Sequence, residues 1–136
     1  MTVAIAITFV WVGMILAISF LEAPLKFRAP EVTLRIGLGI GRLVFRALNA
    51  VECVLAVAVL SAVLVDPPTG GAVVALGIGI GALLAQLAIV RPSLNRRTAA
   101  VLSGSDATGS KAHYAYIALE VVKLAALLTG GVMLLA

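Results

Sequence analysis

The segment Thr2–Leu21 has the sequence TVAIAITFVWVGMILAISFL and contains no charged residue. About twenty apolar residues in a helix are enough to cross the hydrocarbon core of a bilayer. No basic residue precedes the segment, no small-residue cleavage site follows it, and further apolar segments come after it. The pattern therefore favours a retained first transmembrane span over a signal peptide.

The composition of the whole chain excludes water-soluble protein classes. Of its 136 residues, 62% are hydrophobic and only 12% are charged, whereas a soluble domain has about 25% charged residues. The polar residues are too few to cover a soluble enzyme or a nucleic-acid-binding module, and the chain is too apolar to be disordered. We attribute the net charge of +4 to membrane topology and to anionic lipid. The one cysteine, Cys53, excludes an intrachain disulfide.

Three more apolar segments follow the first, so the predicted fold is all-α, an integral membrane four-helix bundle in a single domain. Gln86 is the only strongly polar side chain of the third segment. The sequence Asp66–Gly71 is a predicted turn, because consecutive Pro and Gly residues end helices. The later loop, Asn95–Lys111, is predicted to be flexible. The predicted spans cover approximately residues 2–21, 43–65, 70–90 and 116–136.

Basic side chains determine the predicted orientation. They concentrate in the first and third loops, whereas the Asp66 turn and the terminal segments have none. Because cytoplasmic loops are rich in Lys and Arg, we expect both basic loops on the cytoplasmic side of the cell (inner) membrane. Both termini are then expected on its outer side. Lys123, inside the fourth span, is the exception. The loop residues are Lys26, Arg28, Arg35, Arg42, Arg46, Arg91, Arg96, Arg97 and Lys111.

The second span is predicted to have an amphipathic extension. A helix from Val32 to Val65 would be about 50 Å long, which is more than a bilayer needs. We therefore expect Glu31–Arg46 to lie at the inner leaflet, where anionic lipids attract each basic residue by about 1 kcal/mol. The residues expected to contact lipid headgroups are Lys26, Arg28 and Arg35.

The two halves of the chain, residues 1–68 and 69–136, resemble each other. Each has an apolar span, a basic loop with a proline, and a span with a glutamate near its basic end. An internal duplication with a pseudo-twofold axis along the membrane normal explains this pattern. Two hairpins that converged under the same hydropathy constraint explain it as well. The aligned pairs include Gly13 with Gly81, Pro24 with Pro92, Arg28 with Arg96, and Glu52 with Glu120.

The fourth span carries a polar stripe. Four polar residues fall within about 80° of one another on a helical wheel, and Glu52 lies at the matching level of the second span. Ionisable groups in spans cost about 2.5–3.5 kcal/mol each, so they should face the interior and pair. The stripe consists of His113, Tyr116, Glu120 and Lys123.

We expect two ion pairs inside the bundle. One joins Glu52 to Lys123, and the other joins Glu120 to Arg42 or Arg46. The complete candidate site for a substrate or ion is Glu22, Arg42, Arg46, Asn49, Glu52, His113, Tyr116, Glu120 and Lys123.

This polar network has two interpretations. In the first, the network lines a cavity that is open to the cytoplasm and binds an anion, a proton-coupled solute or a lipid headgroup. In the second, its charges are fully paired and only fix the register of the helices in lipid. We expect no metal, because His113 alone cannot supply the ligand pairs of zinc, di-iron or haem sites. We also expect no catalytic residue and no cofactor. The spacing of Gly77 and Gly81 suits close helix packing or self-association.

Four features of the chain occur together: Trp-Val-Gly from Trp11, the block Ser19–Phe27, the block Gly41–Phe45, and His113 at the start of the last span. In these residues the chain resembles the transmembrane-protein-205-like group of small four-helix membrane proteins of unknown function. The resemblance implies a four-helix fold and a membrane location, and it supplies no catalytic residues.

Three functions remain open at this point. The first is transport or channel-like passage of a small solute or ion, by a homo-oligomer. The second is a non-catalytic lipid-binding or accessory subunit of a larger membrane complex. The third, an enzyme acting on a lipid-linked anionic substrate, lacks a motif. No partnership with nucleic acid is expected.

Overall fold

The computed structural model describes residues 1–102 and 111–136, and the side chains of all of these except 93, 97, 111 and 112. These residues form helices and contain no strand. The helices are α1 (Thr2–Lys26), α2 (Leu34–Val65), α3 (Ala72–Val90), α4 (Arg91–Leu102), which continues α3 without a break, and α5 (Lys111–Leu135).

Four helical segments are long and apolar enough to cross a membrane: α1, α2, α3 and His113–Leu135 of α5. Many of their large apolar side chains are exposed on the outside of the protein, among them Leu43, Val54 and Ile89. This distribution costs free energy in water and none in lipid. The prediction of four apolar helices is confirmed, and the chain is consistent with a multi-pass membrane protein.

The helices differ from the predicted spans at their ends near the basic loops. There α1 continues to Lys26 and α5 begins at Lys111, whereas α2 covers Leu34–Val65, close to the helix predicted from Val32 to Val65. The side chain of Thr33 caps α2 by accepting a hydrogen bond from the backbone N–H of Ile36 at 3.2 Å. We call this end of the protein, where most basic residues lie, the basic end.

The prediction of a flexible loop over Asn95–Lys111 is wrong for its first half. Asn95–Leu102 belongs to α4, because Arg, Ala and Leu are good helix formers and no proline or glycine interrupts this stretch. The rest of the predicted loop, 103–110, lies outside the described residues.

Two π-helical turns interrupt the apolar helices just before prolines. They are Leu16–Glu22 in α1, followed by Pro24, and Gln86–Val90, followed by Pro92. A proline within a helix lacks an N–H donor and its ring crowds the carbonyl of the preceding turn. The wider π-helical turn relieves that crowding, and such turns occur often at functional sites.

Helix α5 lies at the centre of the packing. It contacts α3 most extensively and then α1, and α1 packs in turn against α2. By contrast α2 and α3 barely touch, and α2 contacts α4 instead. The interior between these helices is filled mainly by large apolar side chains that include Trp11, Ile15, Val59, Leu83 and Leu127.

Small residues allow α3 and α5 to approach closely. A Cβ atom on Gly79 would lie 2.9 Å from Leu127 Cδ2, and one on Gly130 would lie 3.0 Å from Leu76 Cδ2. A Cβ atom on Gly77 or Gly81 would meet no described atom within 4 Å beyond its own stretch of helix. Close packing within the chain therefore uses Gly79, and the Gly77 and Gly81 face is left for self-association, which stays a prediction.

Candidate functional site

The Lys123 ammonium group is the centre of a buried polar cluster. Its Nζ lies 2.5 Å from Glu52 Oε2 and 2.7 Å from Glu120 Oε1, and it donates to Gln86 Oε1 at 2.9 Å. The side chain is completely inaccessible to solvent. An ammonium group has three N–H donors, and three side-chain oxygens lie around this one.

Helix α2 contributes Glu52 to the cluster. Besides the ion pair with Lys123, Glu52 Oε2 accepts a hydrogen bond from the indole N–H of Trp11 at 2.8 Å. The other oxygen, Oε1, is buried and has no hydrogen-bond partner in the described part of the chain. The Glu52 side chain thus joins α1, α2 and α5 at one point.

Helix α5 contributes Glu120 as well as Lys123. The two residues are three positions apart, so their side chains lie on one face of α5 and meet without help from another helix. The second oxygen, Glu120 Oε2, accepts a hydrogen bond from Ser19 Oγ at 3.1 Å. Ser19 lies in the π-helical turn of α1.

Helix α3 contributes Gln86, the first residue of its π-helical turn. The amide accepts from Lys123 through Oε1 and donates through Nε2 to the backbone carbonyl of Tyr116 at 3.3 Å. Gln86 is fully buried, and both halves of its amide are satisfied. Every membrane-length helix therefore supplies at least one side chain to the cluster.

A second layer of polar residues lies beside Gln86, closer to the basic end. The Tyr116 hydroxyl accepts from Arg91 Nη2 at 2.9 Å and donates to Asn49 Oδ1 at 3.3 Å. The Arg91 guanidinium also lies over two aromatic rings, 4.8 Å from the centroid of Tyr116 and 5.6 Å from that of Phe45, an arrangement that favours a cation.

The cluster has one negative charge in excess. Two carboxylates, Glu52 and Glu120, share the single ammonium of Lys123, which gives a formal charge of −1. All three side chains are at most 3% exposed. A buried uncompensated charge is costly in a medium of low dielectric constant, so this arrangement favours the uptake of a proton or another small cation.

A cavity leads from the basic end to this cluster. Its volume is about 410 Å³, and Ser19 and Glu120 are among its lining residues, together with the basic side chains of Lys26, Arg42 and Arg91. Aromatic rings form much of the remaining wall. Glu120 is therefore the member of the cluster that a ligand entering through this cavity would meet.

The structure brings together some predicted site residues and separates others. The expected pair of Glu52 with Lys123 is present. The expected pair of Glu120 with Arg42 or Arg46 is wrong, because Glu120 is occupied by Lys123 and Ser19 and both arginines are exposed.

The remaining predicted residues lie around the cavity. Glu22 is 3.8 Å from Lys26 Nζ, one helical turn away. His113 is exposed and lines the cavity, with its ring centroid 6.0 Å from that of Tyr114. Of the predicted headgroup contacts, Arg28 and Arg35 are exposed, whereas Lys26 is half-buried over Phe27 and Phe45.

Four polar members of the site were missed by the sequence analysis: Trp11, Ser19, Gln86 and Arg91. Only Gln86 had a usable signal, since it was the one strongly polar side chain in an apolar span. Within the described residues, no group of three or more His, Cys, Asp and Glu side chains could hold a metal ion.

Comparison of the chain with protein-family models, with curated proteins and with solved structures finds no match. The geometry of the cluster and its cavity is therefore the basis for assigning a function. The resemblance to the transmembrane-protein-205-like group stays a prediction.

Proposed function

We propose that the protein passes a small ion or solute across the membrane and that the buried cluster is its binding site. The observation that carries this proposal is the formal charge of −1 on a cluster to which all four membrane-length helices contribute. Lys123 lies at the middle of α5, twelve residues from each end, which is the depth at which transporters bind their substrates and coupling ions.

The charge of the cluster favours a proton or another small monovalent cation as the ion that it takes up. A single positive charge at Glu52 or Glu120 brings the cluster to neutrality. Glu52 Oε1 offers a buried acceptor without a partner, and Glu120 offers the oxygen nearest the cavity. The basic side chains of the cavity add attraction for an anion, so a solute that moves together with a cation is compatible with the same site.

The proposed orientation places the basic end in the cytoplasm, in agreement with the excess of Lys and Arg there. In that orientation the cavity opens to the inside of the cell and ends at Glu120. Beyond the cluster, the described interior consists mainly of apolar side chains such as Val59, Leu76 and Leu127. Passage to the other side therefore requires a change in helix packing, as in alternating access.

Flux measurements in proteoliposomes test the proposal. The full-length protein is reconstituted with a trapped pH-sensitive or sodium-sensitive dye, and a potassium diffusion potential drives the cation inward. Potassium entry is measured separately with a trapped potassium-sensitive dye and an inward potassium gradient, without the ionophore. We expect wild-type protein to accelerate entry of at least one of the three cations over protein-free vesicles. Glu120→Gln should return the rate to the protein-free level, since the neutralised cluster no longer attracts a cation.

Glu31→Gln is the matched control, because Glu31 is exposed and lies outside both cluster and cavity. It should leave the rate unchanged. Wild-type vesicles that are no more permeable than protein-free ones to any of the three cations would contradict the proposal. So would equal rates for Glu120→Gln and the wild type.

The second candidate is an accessory or lipid-binding subunit in which the cluster is a structural lock. It is favoured by the contacts of the Lys123 ammonium with three oxygens. These contacts fix the register of α2, α3 and α5. An accessory subunit should co-purify with a larger complex at constant stoichiometry in mild detergent. Isolation only as a self-oligomer would count against this role.

The proposal includes a homo-oligomer and an internal repeat. The Gly77 and Gly81 face of α3, where an added Cβ would meet no described atom within 4 Å beyond its own stretch of helix, would pack against another copy, and native mass spectrometry reports the copy number. The repeat is supported by two correspondences. Both π-helical turns precede the aligned prolines, and the aligned Glu52 and Glu120 contact the same ammonium.

A further inference from the structure

A basic groove separates α2 from the junction of α3 with α4. It lies on the side where α2 and α3 barely touch, and its volume is about 480 Å³. Arg42, Arg46 and Asn49 line it from α2, and Arg91 and Asn95 line it from α4. Within the described part of the chain, no carboxylate lines this groove.

The three guanidinium groups of the groove lack a counter-charge. No salt bridge within 4 Å joins Arg42, Arg46 or Arg91 to an acidic side chain among the described residues. Like charges gathered in one groove repel each other, and the repulsion grows as the dielectric constant falls toward that of a membrane. An anion bound between them converts this repulsion into attraction.

The side chains around the groove are arranged to hold such an anion. The Arg91 guanidinium is fixed by the Tyr116 hydroxyl and by two aromatic rings. Asn49 Oδ1 already accepts from Tyr116, so the free capacity of its amide is its two N–H donors. The groove therefore presents donors and positive charge from both walls.

We propose that this groove is a binding site for a phosphate group. Guanidinium groups hold phosphate through paired hydrogen bonds in a planar fork, which suits phosphate better than a simple halide ion. None of the residues that line the groove belongs to the buried cluster, although Arg42, Arg91 and Asn95 line both the groove and the cavity. The existence of the phosphate site does not depend on the proposed transport function.

An anionic lipid and a free phosphate ion share this chemistry. The position favours the lipid, since the groove lies where α2 and α3 barely touch, and Ala50, Cys53 and Leu87 line the part of it closer to the middle of the helices. A phosphate between the arginines would leave an acyl chain to run past Cys53. Labelling of Cys53 distinguishes the two sources.

Cys53 is the only cysteine of the chain and is exposed, so its modification reports on whether the groove is occupied. Full-length protein in mild detergent is treated with a fluorescent maleimide, and the rate of labelling is measured with dioctanoyl phosphatidate, dioctanoylglycerol or inorganic phosphate. The two lipids have the same acyl chains and differ by the phosphate group. We expect phosphatidate to slow the labelling with saturation and dioctanoylglycerol to leave it unchanged.

Arg46→Gln tests the assignment to the groove, because Arg46 lines the groove and not the cavity. Loss of one charge-assisted contact should raise the half-protecting concentration of phosphatidate about tenfold. Arg35→Gln removes the same charge from the same helix outside the groove and should change that concentration less than twofold. Native mass spectrometry of the same proteins counts the retained phosphatidate molecules independently of Cys53.

Each outcome bears on the proposal. Protection by inorganic phosphate as effective as that by phosphatidate supports the phosphate site and identifies free phosphate as the ligand. Equal protection by dioctanoylglycerol overturns the proposal, as does an equal loss in Arg35→Gln and Arg46→Gln, which indicates diffuse attraction only. The absence of both protection and retained phosphatidate also overturns it, whatever the flux experiments show.

Discussion

Replacing Lys123 by Met is the sharpest test of the buried cluster. The substitution keeps an unbranched side chain of similar length and removes the ammonium from between two carboxylates, at 2.5 Å from Glu52 and 2.7 Å from Glu120. Removing one partner of a buried ion pair typically costs about 3–5 kcal/mol, because the other charge is left without compensation. Two carboxylates lose their partner here, so we expect a loss of unfolding free energy of at least this size.

The same reasoning predicts a rescue. In the triple variant Lys123→Met, Glu52→Gln, Glu120→Gln, no charge remains in the cluster. Replacing a whole buried ionic group by neutral residues of similar volume is often close to neutral for stability. The amides keep acceptors for the N–H of Trp11 and the hydroxyl of Ser19. We therefore expect the triple variant to be within about 2 kcal/mol of the wild type.

Titration from dodecyl maltoside into sodium dodecyl sulfate measures both changes. Trp11 is the only tryptophan and touches Glu52, so its fluorescence reports directly on the cluster. Arg35→Met is the control, since it removes an exposed cation from α2 and should change the unfolding free energy by less than about 0.5 kcal/mol. If Lys123→Met unfolds like the control, the ammonium does not stabilise the cluster. A triple variant that is no more stable than Lys123→Met alone would likewise refute the role of charge compensation.

Two further substitutions probe the packing around the cluster. Gly79→Ala should destabilise the protein by about 1–3 kcal/mol, because its Cβ would lie 2.9 Å from Leu127 Cδ2. Gly13→Ala, at an exposed position of α1 where the new Cβ meets no described atom within 4 Å, should cause no loss in the same detergent titration, and equal losses would contradict the observed packing of α3 on α5. Trp11→Phe removes the N–H donor to Glu52 and should lower the free energy of unfolding by about 1.5–3 kcal/mol. The loss should appear as a lower temperature at which the protein loses its monodisperse elution peak. An unchanged temperature would show that this hydrogen bond contributes little.

The apolar helices were predictable because hydropathy depends on local sequence alone. The ends of the helices were less so, since the polar segments Ala23–Lys26 and Lys111–Tyr114 are helical by continuation from an apolar span rather than by their own pattern. The pair of Glu52 with Lys123 followed from the cost of burying charge, which leaves few alternatives in a membrane span. Both features were predictable because the alternatives, apolar helices in water and unpaired charges in a membrane span, cost much free energy.

The members of the cluster on α1 and α3 were not predictable by helical geometry. A helical wheel places successive residues 100° apart, and this spacing fails in a π-helical turn, which contains more residues per turn. Ser19 and Gln86 both lie in such turns. The side chains that a wheel assigns to one face are thus displaced toward another, and only the three-dimensional packing shows that they meet Glu120 and Lys123.

The mispredicted partner of Glu120 connects the two proposals. Pairing with Arg42 or Arg46 would have neutralised the excess negative charge of the cluster and one of the three arginines that line the groove. Instead, the protein keeps a cluster with one negative charge too many and a groove whose positive charges lack an acidic partner in the described residues. Uncompensated charge is costly in a medium of low dielectric constant, so each imbalance favours a ligand of opposite charge. Under the two proposals the cluster binds a cation and the groove an anion, and Glu120→Gln at the cluster and Arg46→Gln at the groove should each leave ligand binding at the other site intact.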